Sequence, residues 1–262
     1  MPTTLLAFDT AGEVGSIALV RGVAGAAVLL DEATHCGGSE LSGWLVPAIL
    51  DLLARHGLER PDAVACGIGP GAFTGVRTAC ATAQGLAFGW QRPLYAVSTL
   101  EALLQVSLLA TEFELPNGRR AVVMDARQGE AYAAVWDIAE PDAAQAVSAV
   151  LVDPPTLVPA SAIGGWLVAR QIRAAFGTAL DAAALGEAAR TGIVCLPSAS
   201  LPSLLRQAAV GVARVAMRSE AEGRTVDPLQ LTPHYVRDRV ALTEAERRRA
   251  FHGLRATREA VA

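Results

Sequence analysis

The 262-residue chain contains no lysine: all 22 of its basic side chains are arginine. A lysine-bearing phosphate loop, a Schiff-base intermediate and a lysine general base are thereby excluded, because each needs a primary amine. Aromatics are scarce, at 5% with three Tyr and six Phe, and the net charge is −4. A free-standing RNA-binding module is disfavoured by both, since phosphate and base contacts need a cationic, aromatic surface. The four cysteines (Cys36, Cys66, Cys80, Cys195) lack C-x-x-C spacing, and the four histidines (His35, His56, His234, His252) form no H-x-x-x-H pair, so no metal site is expected. Cys66 and Cys80 sit in apolar runs and read as buried reduced thiols, while adjacent His35 and Cys36 read as loop residues. No uncharged run reaches the length of about 18 residues that a membrane-spanning helix needs. The apolar start, Met1 to Ala7, has no basic flank and does not resemble an export signal, so the expected location is the cytoplasm.

What is present is an apolar chain, 52% hydrophobic with 24 Gly, which implies one large domain or two packed ones. Leu5 to Asp9 predicts a buried strand that ends in the turn Asp9-Thr10-Ala11-Gly12, and Gly15 to Val20 predicts its hairpin partner. A third strand is expected near Ala24 to Leu30, then a helix over Glu40 to His56 that stops at Gly57. That helix carries two apolar stripes, one of Leu41, Trp44, Leu45, Ala48 and Leu52, the other of Val46, Ile49, Leu50 and Leu53, and so needs two burial partners. Ala63 to Ile68 reads as a strand, the glycine-rich loop Gly69 to Gly75 follows, and a small-residue helix runs from Val76 to Phe88. Leu94 to Val97 is a further strand, and Ser98 or Thr99 caps a helix reaching about Ala110.

Pro116-Asn117-Gly118 breaks the chain, and the opening pattern then returns. Ala121 to Met124 is an apolar strand ending at Asp125, Ala126 to Gly129 is a turn, and Glu130 to Trp136 alternates as a second strand. An offset of 116 residues lays Asp125 on Asp9 and Val135 on Leu19, which suggests a duplicated fold with halves 1-112 and 113-262. Beyond this, a short strand at Ala162 to Gly165, a helix over Trp166 to Phe176 and an amphipathic helix over Leu201 to Arg218, packing back on the first half, are expected. The tail from Arg237 to Ala262 holds seven Arg against four acidic residues. It reads as a solvated helix or as an RNA-phosphate contact within an assembly.

Two carboxylates at hairpin mouths, Asp9 and Asp125, with Thr10 beside the first, permit two readings. They could hold Mg2+ and a nucleotide together with nearby turn amides, or each could merely cap the turn it opens.

The stretch Gly69-Pro70-Gly71-Ala72-Phe73-Thr74-Gly75-Val76-Arg77 resembles the GPGSFTG-L/V-R signature of the bacterial TsaB (YeaZ) family, with Ala72 in place of the usual Ser. Leu6 to Ala11, Ala83 to Ala87, Val97 to Leu100, Asp125 to Glu130 and Pro233-His234-Tyr235-Val236-Arg237 are similar to further blocks of that family. The likeness covers about residues 5 to 137 and the segment near Pro233. It implies an α/β, duplicated actin-like ATPase (ribonuclease-H-like) fold with two βββαβα-type halves. It also implies an accessory subunit with no catalytic residues of its own, serving tRNA threonylcarbamoyladenosine synthesis alongside a catalytic TsaD-type subunit and a TsaE-type ATPase. In catalytic relatives an H-x-x-x-H pair holds a metal, and the matching positions here are Thr99 and Leu103, neither of which can replace an imidazole.

From the resemblance, no cofactor is required by the chain, although weak ATP or ADP binding with Mg2+ is compatible with Asp9, Thr10 and Asp125, with Gly164 and Gly165 at the adenine or as an ordinary glycine turn. Gly69, Pro70, Gly71, Gly75 and Arg77 are assigned to a structural loop in which the glycines adopt positive φ and let the chain approach the next helix closely. Leu41, Trp44, Leu45, Ala48, Ala79 and Ala83 are assigned to a partner interface, used by the catalytic subunit or by a second copy of the chain; alternatively they serve internal packing. Contact with tRNA is expected only through the complex. The competing reading is an ATP-dependent small-molecule kinase built on Asp9 and Asp125, for which no motif supplies a general base.

Overall fold

All six residues of the first strand, β1 (Thr4–Asp9), are buried, which requires cover on both faces of its sheet. The computed structural model describes residues 3–23, 26–38, 40–109, 115–139, 149–180, 186, 190–196 and 206–237. In it, β1 pairs antiparallel with β2 (Val14–Val23), and β2 with β3 (Ala26–Cys36). After α1 (Leu41–Arg55), β4 (Ala63–Gly67) joins the other edge of β1 in parallel, and after α2 (Phe73–Trp90), β5 (Leu94–Val97) extends the sheet. The order is β3-β2-β1-β4-β5, and α3 (Thr99–Leu109) follows. The second half repeats this plan with β6 (Gly118–Arg127), β7 (Glu130–Ile138), β8 (Ala149–Pro159), α4 (Ile163–Ala169), β9 (Ala174–Phe176) and β10 (Val194–Cys195). Its order, β10-β9-β6-β7-β8, is that of the first sheet seen from the opposite edge. Two such units make a duplicated actin-like, ribonuclease-H-like α/β fold.

The period-two alternation of the strands sorts side chains to two faces. Leu6, Phe8, Ile17, Leu19, Val64 and Cys66 pack against α1 and α2. Leu5, Ala7, Ala18, Val20, Ala63 and Ala65 pack instead against Val212, Ala213 and Ala216 of α5 (Ala208–Ala221), a helix from the second half of the chain. In exchange, α3 of the first half lays Leu100, Leu103 and Leu104 against Val122, Met124 and Trp136 of the second sheet. Each half therefore buries one sheet face with a helix of the other half. At roughly 25 cal/mol per Å2 of apolar surface, fully burying each such leucine stabilises the pairing by about 1.5–3 kcal/mol.

Where α3 and α5 cross, Gly211 lies so close to the Ala102 carbonyl that no side chain fits, and the Ser16 hydroxyl of β2 accepts a hydrogen bond from the Ala209 amide in the first turn of α5 (3.0 Å).

Several sequence expectations move. The third strand is longer than the expected Ala24 to Leu30 and reaches Cys36, because its far end pairs with Val14 and Gly15. Helix α2 begins at Phe73, three residues earlier than expected, so part of the glycine-rich loop is its first turn. Leu5 faces Val20 in the first hairpin while Ala121 faces Val135 in the second, so the constant offset of 116 aligns the leading strands and slips by one on their partners. A shorter turn in the second hairpin is the cause. Residues 160–162 form a 3-10 turn and Ile163–Ala169 the helix, whereas Ala174–Phe176, expected to end a helix, is a strand that extends the sheet beside β6. Residues 201–205 of the expected amphipathic helix, and the tail after 237, lie outside the described residues.

Replacing Gly211 with Val places a side chain on the Ala102 carbonyl and forces the exchanged helices apart. The expected loss is about 1–3 kcal/mol, the usual cost of overpacking, read as a lower urea midpoint with an unchanged slope. An unaltered midpoint would show that the crossing has slack.

Candidate functional site

Asp9 ends β1 and turns its carboxylate inward. Oδ1 accepts from the Ala11 amide (2.7 Å), Oδ2 accepts from the Thr99 hydroxyl (2.7 Å), and the same hydroxyl accepts from the Gly69 amide (3.2 Å). The residue is buried, and the space it occupies is open because Gly67 on β4 has no side chain. Burial pushes the carboxyl up from its ordinary value of 3.8, against the opposing pull of the hydrogen bonds from Ala11 and Thr99. Asp9 is thus a structural pin, and its assignment to a nucleotide or a metal is corrected: its oxygens are engaged and out of reach. Thr10 is corrected with it, since its buried hydroxyl donates to the Gly75 carbonyl (2.7 Å).

The glycine-rich loop closes over the same turn. The Ala72 amide donates to the Ala11 carbonyl (2.7 Å), and a side chain at Gly71 or Gly75 would strike the backbone of Ala11 or Thr10. Only Gly69 of the three has positive φ (+94). The expectation of positive φ at Gly71 and Gly75 is therefore corrected: they are small because the β1–β2 turn presses on them. Pro70 is buried in the same loop. Arg77 projects from α2, with its guanidinium 3.6 Å above the Phe73 ring and its Nε donating to the Tyr235 hydroxyl (2.7 Å).

That tyrosine belongs to a strap, residues 231–237, which returns from the end of the described chain to bridge the halves. The His234 amide donates to the Ile68 carbonyl (2.7 Å), and Arg237 donates to Glu130 Oε2 (2.6 Å) and the Ala126 carbonyl (3.1 Å). Between loop, strap and the β6–β7 turn lies a cleft of about 390 Å3. Its walls include Glu13, Phe73 and Val76 of the first half, Met124, Asp125, Arg127 and Thr178 of the second, and His234 and Tyr235 of the strap. Asp125, unlike Asp9, is open, with its side chain 51% exposed; its Oδ1 accepts from the Arg127 amide (2.8 Å) and its own amide donates to Thr178 Oγ1 (2.9 Å). Arg127 reaches across to Glu13 of the first half (2.9 Å).

Gly164 and Gly165 do not meet this cleft. They form the first turn of α4, where Gly164 is buried beneath the second sheet, which corrects their assignment to an adenine. The expected interface residues also divide. Leu41, Leu45, Ala79 and Ala83 are core residues with no surface to offer a partner, since both helices need those faces to cover the first sheet. Trp44 and Ala48 are half-buried. The outward apolar surface of α1 and α2 is instead Val46, Leu50 (51% exposed) and Phe88 (66%), beside the exposed Gly43, Pro47, Ala81 and Gly85. Sequence reasoning did not single out Glu13, Arg127, Thr178 or Tyr235 for the cleft. Tyr235 lay in a matched block, Pro233 to Arg237, whose spatial destination no local pattern reveals. Among the described residues no group of three or more His, Cys, Asp or Glu side chains is placed to hold a metal ion, and no helix is long and apolar enough to cross a membrane.

Comparisons with known proteins agree with this architecture. Residues 38–242 match the family model described as TsaD, tRNA N6-adenosine threonylcarbamoyltransferase. The tRNA threonylcarbamoyladenosine biosynthesis proteins TsaB of Haemophilus influenzae and Escherichia coli are 41% and 38% identical over 133 residues, or 49% of this chain and 52% of each relative. The chain thus spans about half the length of the curated relatives it matches. A crystal structure of a Pseudomonas aeruginosa protein with similarity to peptidase YeaZ superposes with a TM-score of 0.67 at 29% identity, covering 90% of this chain and 100% of that one. The chain belongs to the TsaD-type tRNA N6-adenosine threonylcarbamoyltransferase family, in its TsaB (YeaZ) branch.

The raised carboxyl of Asp9 has a measurable consequence. A folded-state value above 3.8 means that the folded chain holds this proton more tightly than the unfolded chain. Its contribution is fully present below the unfolded value and is lost as pH rises through the folded one. Asp9→Asn cannot ionise, so its stability relative to the natural chain should improve as pH rises above 3.8 and level off once pH passes the folded value, measured by denaturant midpoints. A difference that stays flat over that range would show that Asp9 titrates as it does in the unfolded chain.

Proposed function

We propose that the chain is an accessory subunit of a tRNA threonylcarbamoyltransferase assembly. It holds a catalytic TsaD-type subunit, which with a TsaE-type ATPase moves a threonylcarbamoyl group from its adenylate to the adenosine beside the tRNA anticodon. In this reading the chain works in the cytoplasm, needs no cofactor or metal of its own, meets tRNA only through the assembly and self-associates when its partner is absent.

The observation that carries the reading is the use made of Thr99 and Leu103. At the positions where catalytic relatives are expected to carry metal-binding histidines, this chain has a hydroxyl committed to Asp9 and Gly69, and a leucine buried between α3 and the second sheet. Both side chains serve folding, and neither is a ligand type. The kinase alternative needs Asp9 in the cleft, and Asp9 is sealed below it.

A partner surface follows from the outward faces of α1 and α2. Leu50 and Phe88 are large, apolar and exposed, and nothing stands within 4 Å of the side-chain positions at Gly43, Gly85 and Gly89, so another helix can approach the backbone there.

Depletion of the protein should lower threonylcarbamoyladenosine in cellular tRNA, measured by mass spectrometry of nucleosides, and unchanged levels would sink the assignment. Leu50→Glu and Phe88→Glu should keep the melting temperature, because both residues are exposed, while weakening binding to a TsaD-type subunit at least about tenfold, the scale of a lost interface anchor. Wild-type affinity in both variants would move the interface elsewhere.

A further inference from the structure

The cleft between the halves does not fit a magnesium-bound nucleoside triphosphate. Such a ligand needs carboxylates for the ion, backbone amides for the phosphates and free cations to balance the charge. Asp9 is closed, as described, and four turn amides around the cleft already donate within the protein: Ala11 to Asp9, Ala72 to the Ala11 carbonyl, Asp125 to Thr178 and Arg127 to the Asp125 carboxylate. The lining arginines are ion-paired, Arg127 with Glu13 at the exposed mouth (2.9 Å) and Arg237 with Glu130 deeper in (2.6 Å). Besides these arginines, the described lining side chains offer a polyphosphate only the imidazole of His234, against the carboxylates of Glu13 and Asp125.

What the cleft offers beside these charges is an aromatic and apolar wall. Phe73 and Tyr235 stand side by side with ring centroids 6.0 Å apart and a 31° tilt; Arg77 covers one face of Phe73 and holds the Tyr235 hydroxyl, and the two residues are still 39% and 46% exposed. Val76 and Met124 extend the apolar wall. From the second half come the exposed Thr178 and the Asp125 carboxylate, whose Oδ2 is 3.9 Å from Arg127 Nε, beyond hydrogen-bonding distance. A stacking surface that lines the same cleft as a carboxylate with an oxygen beyond hydrogen-bonding distance of Arg127 matches a heteroaromatic base attached to a sugar diol. The volume, about 390 Å3, lies at the small end of the roughly 300–1,000 Å3 range of ligand pockets.

We propose that this cleft binds a nucleoside, with its base against Phe73 and Tyr235 and its ribose hydroxyls donating to Asp125, and that phosphate and Mg2+ contribute nothing to the affinity. A free nucleoside and an unpaired residue of an RNA strand present the same chemistry. The inference rests on the cleft alone and is independent of the accessory role, so failure here leaves the tRNA assay intact as a test of that role.

The test is calorimetric titration of the full chain with adenosine, guanosine, cytidine and uridine, and with ATP plus Mg2+. At least one nucleoside should saturate a single site and bind about tenfold or more tighter than Mg2+-ATP. Tyr235→Leu and Asp125→Asn should each weaken that nucleoside at least about tenfold, the scale of a lost stacking or charged hydrogen-bonding contact, with melting curves intact. Should Tyr235→Leu fail to fold, Phe73→Leu replaces it. Tighter binding of ATP than of every nucleoside, no saturable nucleoside binding, or wild-type affinity in the folded variants would each overturn the proposal. Competition with a short unstructured oligoribonucleotide separates the two sources: displacement identifies a strand-borne residue, and binding of the nucleoside without displacement identifies the free molecule.

Discussion

The carboxylate of Asp9 joins three parts of the chain at one buried point: the β1–β2 turn through the Ala11 amide, the glycine-rich loop through Thr99 and Gly69, and the start of α3 through Thr99 itself. Burying a carboxylate is costly, and hydrogen bonds to a charged group return only about 1.5–3 kcal/mol each. The arrangement therefore works through geometry more than through net stability. It fixes where α2 begins, and so which of its faces meets the sheet and which meets solvent. It fixes the first turn of α3, the helix that crosses to the second sheet. It also removes from the cleft the carboxylate best placed to serve a metal.

The two halves diverge at this point for a reason that lies on the neighbouring strand. Asp9 ends the central strand of its sheet, and Asp125 stands two residues before the end of the central strand of the other. Continuing the parallel pairing of β1 with β4 by one residue brings Gly67 beside Asp9, whereas β9 pairs with β6 only as far as Phe176 beside Val122, and the chain then turns away at Gly177 (φ +138). A side chain at Gly67 would occupy the space taken by the Asp9 carboxylate. In the second half the Asp125 amide meets the Thr178 hydroxyl of that turn (2.9 Å), and its carboxylate stays in the cleft. A neighbouring strand that runs on to Gly67 leaves room to pin one carboxylate, and one that ends at Phe176 leaves the other in the cleft.

The duplication was legible because strand alternation and a strand-ending aspartate recur, and both are local features. The glycine-rich loop was legible as a constraint but not as a cause. Sequence can show that Gly71 and Gly75 are small, yet only the folded chain shows that the Thr10 and Ala11 backbone requires it. Burial of Leu41, Leu45, Ala79 and Ala83 was mistaken for a partner surface because an apolar stripe has the same period whether it faces a sheet or another protein. Which stripe is left exposed depends on how α1 and α2 are rotated on the sheet, a tertiary property. The cleft was least legible of all, since its walls come from residues more than 200 positions apart in sequence, Glu13 and Tyr235 among them.

Arg127 shows that stability alone does not account for the cleft's composition. It holds a left-handed backbone conformation, φ +65, beside Gln128 at +57 and Gly129 at +76 in the turn that joins β6 to β7. The pairing of Arg127 with Glu130 across the last two makes that turn a tight hairpin, for which Gly is favoured and a larger residue carries strain of roughly 1–2 kcal/mol. The guanidinium's ion pair with Glu13 joins two largely exposed side chains, and such pairs return about 0–1 kcal/mol. Glycine at this position would relieve the strain and forfeit little. What it would forfeit is a side chain that reaches from the second half to the turn of the first at the cleft, and with it a charge that an entering ligand meets.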